Sequence, residues 1–147
     1  MIGRLYNNFG ICSAALGFCL NESKNLNISS ALLIMPLITN QELLAHLSHA
    51  STNFESVEQL IIKKPICFSN FNARFYDGLT VTINAIQFLN ETNYLKVENE
   101  SLISTKKMEF SLVMGKRASK IFKARNNIIK LINSDVSSIY RNLRIEL

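Results

Sequence analysis

The sequence has no tryptophan, only two prolines and five glycines, and no Gly/Ser/Pro-rich stretch that would mark a linker between domains. Its longest apolar run, Ala31 to Ile38, contains Pro36 and is far shorter than the roughly 20 residues that a membrane-spanning helix needs. The chain has 147 residues, of which 48% are hydrophobic, and can therefore bury a sizeable core. We expect a single domain, residues 1–147, that does not enter a membrane.

Cysteine and histidine are scarce as well. The three cysteines, Cys12, Cys19 and Cys67, are an odd number without the spacing of a disulfide framework, which indicates free thiols in a reducing, cytoplasmic environment. Cys12 and Cys19 lie seven residues apart and are predicted to be core residues on one helix face. His46 and His49 could share a helix face, but no third ligand is spaced to complete a metal site.

The motifs of common catalytic sites are missing. Gly115-Lys116 lacks the preceding glycine of a phosphate-binding loop, and the dinucleotide-binding, nucleophile-elbow and zinc-protease motifs do not occur. Aspartate occurs only at Asp77 and Asp135, each at a predicted turn or helix start, whereas two-metal nuclease chemistry needs clustered carboxylates. We therefore predict a binding module with no catalytic residue, no metal and no cofactor, rather than an enzyme.

Charge is present but unevenly distributed. Residues 1–105 contain six basic and eight acidic side chains, whereas residues 106–147 contain ten basic and three acidic ones. Such asymmetry predicts that the last third of the chain faces an anionic surface, either nucleic acid or an acidic protein face.

Apolar residues recur at helical spacing over residues 2–22, which predicts a largely buried first helix. The next segments are a predicted loop over 21–29, a predicted extended segment over 30–39, and a helix over 41–49 capped by Asn40.

Thr52 and Glu55 form a predicted capping box for a further helix, which Pro65 ends. A helical stretch is then predicted to break at Asp77-Gly78, and Thr80 is predicted to cap the helix that follows.

Two short apolar stretches flank Glu98-Asn99-Glu100, a polar loop of hairpin length. A helix followed directly by a β-hairpin is the order of elements in a winged helix. The predicted fold class is mostly α (α+β), a helical domain with a small β-hairpin wing, and Ser134 and Asp135 are predicted to cap its last short helix.

The clearest pattern is an amphipathic helix predicted over residues 112–133. Its apolar side carries Met114, Ala118, Ile121, Arg125, Ile128 and Ile132, widened by Phe122, Ile129 and Leu131. Its polar side is a basic stripe about five turns long, formed by Lys116, Lys120, Lys123, Asn127 and Lys130.

Three interpretations of this stripe remain open. The lysines could be a solvated face, they could bind an acidic protein face together with Arg117, or they could follow DNA phosphates. In the second case, Phe122 or Tyr140 would serve as an apolar anchor. Residues 80–92, the recognition helix of a winged helix, contain no Lys or Arg, so we favour protein over DNA.

Arg74 lies between Phe71 and Phe75 in an apolar stretch. Its guanidinium could bind a partner's carboxylate with two hydrogen bonds, or form an internal ion pair with Asp77.

Several stretches of the sequence resemble the middle component of three-component ABC systems, of which the Lamassu anti-phage and anti-plasmid systems are the best known. These are "YNNFGICSAALGF", "LLIMPLITNQELLAHL", "NARFYDGLTVTINAIQFLNETNYLKVENESL", "GKRASKIFKA" and "SSIYRNLRI", which match the family's opening helix, apolar segment, central helix with its wing, and closing helices.

The resemblance implies a small adaptor between an SMC- or Rad50-like ATPase and an effector, often a nuclease. The adaptor would restrain the effector until the ATPase senses foreign DNA, and DNA would be contacted mainly through the complex. A stand-alone winged-helix DNA-binding regulator is the alternative.

Overall fold

The computed structural model describes residues 2–134 and 136–146, with side chains from residue 8 onward. The described chain is mostly helical and carries a small antiparallel sheet of three strands, which confirms the predicted fold class. The α-helices are α1 (Ile2–Ser23), α2 (Ile28–Ala31), α3 (Ile34–Ile38), α4 (Gln41–Ser48), α5 (Val57–Lys63), α6 (Phe71–Glu91), α7 (Lys116–Ile132) and α8 (Val136–Asn142). The strands are β1 (Asn25–Asn27), β2 (Leu95–Glu98) and β3 (Ser101–Ser104), and short 3-10 turns cover Pro65–Phe68 and Leu112–Met114.

Helix α1 lies at the centre of the fold, as its apolar sequence predicted, and packs against both α6 and α7. The side chains of Cys12, Leu16, Phe18 and Cys19 are completely buried. Burial raises the pKa of the Cys12 and Cys19 thiols to about 12, so both remain protonated at neutral pH.

The predicted hairpin is present, and it is part of a larger sheet. Asn99 and Glu100 both have positive φ angles, of 51° and 65°, as a type I′ turn between β2 and β3 requires. The loop prediction for residues 21–29 was wrong, because β1 pairs with the outer edge of β3. This pairing places Leu26 opposite Leu102, and both side chains are buried. The likeness to a winged helix stays a prediction.

The extended segment predicted over residues 30–39 was also wrong, because the short helices α2 and α3 occupy it. Pro36 is the third residue of α3, a position whose N–H has no acceptor within the helix, so the proline costs no hydrogen bond there. The predicted cap of α4 is confirmed, since Asn40 Oδ1 accepts a hydrogen bond of 2.8 Å from the Leu43 N–H.

Helix α5 begins later than the predicted capping box. Its cap is Ser56, whose hydroxyl accepts a 3.0 Å hydrogen bond from the Gln59 N–H, while the Gln59 side chain accepts from the Glu55 N–H. The Thr52 hydroxyl instead donates to the His46 carbonyl. Helix α5 does end just before Pro65, as predicted.

The predicted break at Asp77-Gly78, with Thr80 as a new cap, does not occur, and α6 is continuous. Gly78 lies in the helix because α3 approaches it closely: a Cβ atom at this position would lie 3.0 Å from Met35 Cβ. Close packing against α3, rather than a turn, therefore explains why position 78 is a glycine. Asp135, the predicted cap of α8, lies outside the described residues.

Within residues 2–134 and 136–146, no single helix is long and apolar enough to cross a membrane. One pair of helical segments, Ile28–Ile38 and Gln41–Ser48, together has the length and apolar composition of a membrane span, but the pair is bent by 106°. The side chains of Ile34, Met35, Leu43 and Leu47 in this pair are buried in the core of the domain.

Candidate partner-binding surface

The predicted amphipathic helix is present, but it begins at Lys116 rather than at residue 112. Gly115 has a φ angle of 101°, a conformation that favours glycine, and it separates the 3-10 turn Leu112–Met114 from α7. The apolar side of α7 is buried against α1 and α4.

The opposite side of the first two turns of α7 is basic and exposed. Lys116, Lys120 and Lys123 lie there, and we call these three residues the basic face. In the part of the chain that the structure describes, none of the three lysines forms an ion pair. Arg117 lies in the same first turn and is half-buried.

The basic stripe predicted to continue along α7 ends after these turns, because its remaining polar residues bind the domain itself. Asn127 Nδ2 donates to the Leu47 carbonyl at 2.9 Å, and Lys130 Nζ donates to the Phe54 carbonyl at 2.5 Å. The Lys130 ammonium also lies 4.5 Å from the centre of the Phe54 ring. The surface available to a partner is therefore shorter than the sequence predicted.

Phe122, predicted as an apolar anchor for a partner, is part of an internal aromatic cluster. Its ring stacks on Phe110 at 4.6 Å and meets the edge of Phe18 at 5.2 Å. The Arg125 guanidinium covers the ring at 3.9 Å and forms an ion pair with Glu22. Phe122 thus holds α7 against α1, which is a packing role.

Tyr140, the other predicted anchor, joins α8 to α2. Its hydroxyl donates to the Ser29 carbonyl at 2.7 Å, and its ring lies 5.6 Å from that of Phe75. Burial raises the pKa of this phenol to about 12. The contacts of Tyr140 are therefore within the domain.

Arg74 does not form the internal ion pair with Asp77 that the sequence suggested. Its guanidinium donates to three backbone carbonyls, those of Pro36 at 3.1 Å, Ser69 at 2.7 Å and Cys67 at 2.8 Å. Partial burial lowers the pKa of Arg74. Within the described residues no ion pair links it to Asp77. Whether Arg74 also binds a partner stays a prediction.

The start of α7 adds to the positive potential of the basic face. The helix dipole places partial positive charge at this end, and the first turn contains Lys116 and Arg117 without an acidic residue. Gly115 has no side chain to accept hydrogen bonds from the first N–H groups of the helix. Cations at this end of a helix are unfavourable unless an anion compensates them.

The sequence model of the family "ABC-three component (ABC-3C) system Middle Component 3" matches residues 8–147. The chain belongs to this family. No curated protein and no solved structure shows significant similarity to the chain. The resemblance to middle components seen in the sequence is thereby confirmed, and it makes the chain one part of a multi-component system.

The exposure of Leu112, Val113 and Met114 was not predicted from the sequence of this middle component. Leu112, Val113 and Met114 are 84%, 93% and 43% exposed. The sequence predicted that all three lie in one helix, with Met114 on its apolar side, because the predicted helix ran through Gly115. That glycine, directly before a run of good helix formers, was the available signal that the helix starts later.

The segment that contains Met108 and precedes Leu112 is anchored to α1 by hydrogen bonds. The Asn21 side chain donates to the Met108 carbonyl at 2.7 Å and accepts from the Met108 N–H at 2.9 Å. A Cβ atom at Gly17 would lie 2.4 Å from Met108 Sδ, so glycine there lets the methionine lie directly on the helix. Leu112 to Met114 thus project from an anchored segment.

Proposed function

We propose that this chain is a non-catalytic adaptor that joins an SMC- or Rad50-like ATPase to an effector, often a nuclease, in a bacterial defence system of the Lamassu type. It would restrain the effector in the cytoplasm until the ATPase senses foreign DNA. Membership of a middle-component family supports an adaptor role, and the sequence supplies no nucleotide-binding loop of its own.

The observation that carries this proposal is the basic face of α7. Lys116, Lys120 and Lys123 are exposed side by side without an acidic partner among the described residues, whereas Arg125 and Lys130 are engaged within the domain. Charged residues that the domain does not use itself are suited to steer and orient a partner of opposite charge.

An acidic protein face fits this surface better than DNA does. Non-specific DNA binders follow the phosphates along a groove or an extended basic surface, and this basic face covers only two turns of one helix. Residues 80–92, which a winged helix would insert into the DNA groove, lie at the end of α6 and its C-cap and contain no Lys or Arg. DNA would accordingly be contacted mainly through the complex.

Reconstitution with the two other components of the same system tests the adaptor role. When all three proteins are co-expressed and the ATPase is affinity-tagged, we expect the effector to co-purify only if this chain is present. The restrained effector should be inactive in the ternary complex and become active after foreign linear DNA is added.

Two results would contradict the proposal. Direct co-purification of ATPase and effector without this chain would exclude a bridging role. Sequence-specific DNA binding by this chain alone, with no affinity for either component, would instead establish the stand-alone regulator.

A further inference from the structure

An open apolar groove reaches the start of α7, on the side of the helix that carries Ala118. It has a volume of about 490 Å³ and is bordered by α1, α6, the anchored segment before α7, and the first turn of α7 itself. Its walls include Phe9, Gly10, Ala14, Phe88, Met108 and Met114. Phe9 and Phe88 meet edge to face at 5.4 Å and form its aromatic side. A groove of this size can accept several side chains of a bound segment.

A polar group lies in the groove without a partner. Ser13 is only 7% exposed, and its hydroxyl has no hydrogen-bond partner among the described residues. A buried hydroxyl without a hydrogen bond is unfavourable, because it has lost its contact with water and gained nothing in return. Because Ser13 lines the groove, a ligand there could supply the missing hydrogen bond once the side chain turns toward it.

One end of the groove reaches the first turn of α7. Ala118, the third residue of α7, lines the groove, and the same turn presents Lys116, Arg117 and the positive end of the helix dipole. An occupant with acidic residues at one end would compensate these charges, while its apolar residues lay against the phenylalanines.

The edge of the groove extends into the most exposed apolar residues of the domain. Met114 lines the groove, and Leu112 and Val113 precede it in the chain. The anchoring of Met108 by Asn21 fixes the position of this edge relative to α1. Apolar residues held outward in this way are typical of a surface that a partner covers.

We propose that this groove receives an amphipathic segment of one of the other two components, with apolar side chains against Phe9 and Phe88 and carboxylates next to the start of α7. The proposal rests on the adaptor role above and identifies the kind of segment that the adaptor binds. Charge argues against a second copy of this chain, since self-association through this surface would bring Lys116 and Arg117 of two molecules together. The apolar walls argue against nucleic acid.

Gly10 offers a substitution that fills the groove without disturbing the domain. It is exposed, and a Cβ atom built on it would meet no described atom within 4 Å apart from its chain neighbours and the backbone of its own helix. The variant Gly10→Trp should therefore fold normally and obstruct the groove. Ile62→Trp, at a residue that is 80% exposed on α5, is the matched control. Thermal unfolding followed by circular dichroism establishes that both variants are folded.

The experiment measures the affinity of each purified variant for the tagged ATPase and for the tagged effector. We expect Gly10→Trp to weaken binding to one of them at least about tenfold and Ile62→Trp to leave it unchanged. A photo-crosslinking amino acid at Val113 should then label a segment of that component containing both acidic and apolar residues.

Three other outcomes would count against the proposal, and the experiment distinguishes between them. If the complex assembles and Gly10→Trp binds like the unmodified chain, the groove is not the docking site, although the adaptor role stands. Crosslinks from Val113 only to DNA or to a second copy of this chain would also overturn it. If neither component binds the unmodified chain, the adaptor role fails, and this inference fails with it.

Discussion

At the scale of single residues, Arg74 shows how a charged side chain can hold a fold together without an ionic partner. Its three hydrogen bonds join the start of α6, where Arg74 lies, to the middle of α3 and to the end of the turn Pro65–Phe68. The Phe71 ring lies 5.3 Å from the guanidinium and covers part of it. The planar fork of arginine can reach three carbonyls at once, which the single ammonium of lysine cannot do.

We expect Arg74→Ala to lower the free energy of unfolding by about 3 kcal/mol, because it leaves three carbonyls without their charged donor. Arg74→Lys should recover only part of this loss. Urea denaturation of the purified variants measures both values. Unchanged stability of Arg74→Ala, combined with loss of binding to the ATPase or effector, would show instead that Arg74 serves a partner.

At the scale of secondary-structure elements, features that depend on nearby residues were predicted correctly from the sequence. Features that depend on packing between distant segments were not. Asn40 was correctly assigned as a cap because a cap acts within four residues. The hairpin was correctly placed for the same reason. Gly78, however, was assigned to a turn, since the approach of Met35 from α3 leaves no trace in the nearby sequence. The hydrogen bond of Tyr140 was not predicted for the same reason, because its acceptor, Ser29, is 111 residues away.

The start of α5 allows a direct comparison between Ser56, which caps the helix in the structure, and Glu55, which belongs to the capping box predicted from the sequence. Ser56→Ala should reduce the free energy of unfolding by about 1 kcal/mol, because the Gln59 N–H loses its acceptor. Glu55→Ala should change it by less than about 0.5 kcal/mol, since the structure gives its exposed carboxylate no capping role. Thermal denaturation of the two variants measures the difference. A larger loss for Glu55→Ala than for Ser56→Ala would restore the capping box predicted from the sequence.

At the scale of the whole molecule, the fold uses some of the positive charge of residues 106–147 internally and leaves the rest exposed. Arg125 is paired with Glu22, Lys106 lies 4.4 Å from the Tyr94 ring, and Lys130 binds Phe54. The charge asymmetry was predictable because it is a property of composition. Which cations remain for a partner was not, because that depends on how α7 packs against α1 and α4.

The central claim, that the basic face binds an acidic partner, is tested most directly by reversing its charge. In the variant Lys116→Glu, Lys120→Glu, Lys123→Glu, folding should be preserved because all three side chains are exposed. The control reverses Lys24, Lys63 and Arg141, three exposed cations on other parts of the surface, and changes the net charge equally.

The measurement is co-purification of each variant with the ATPase and the effector, followed by its DNA affinity over a salt series. We predict that the α7 variant loses at least one component while the control retains both. The claim would be contradicted if the α7 variant still assembled with both components. This holds whether its DNA affinity stays unchanged or falls with a flatter dependence on salt.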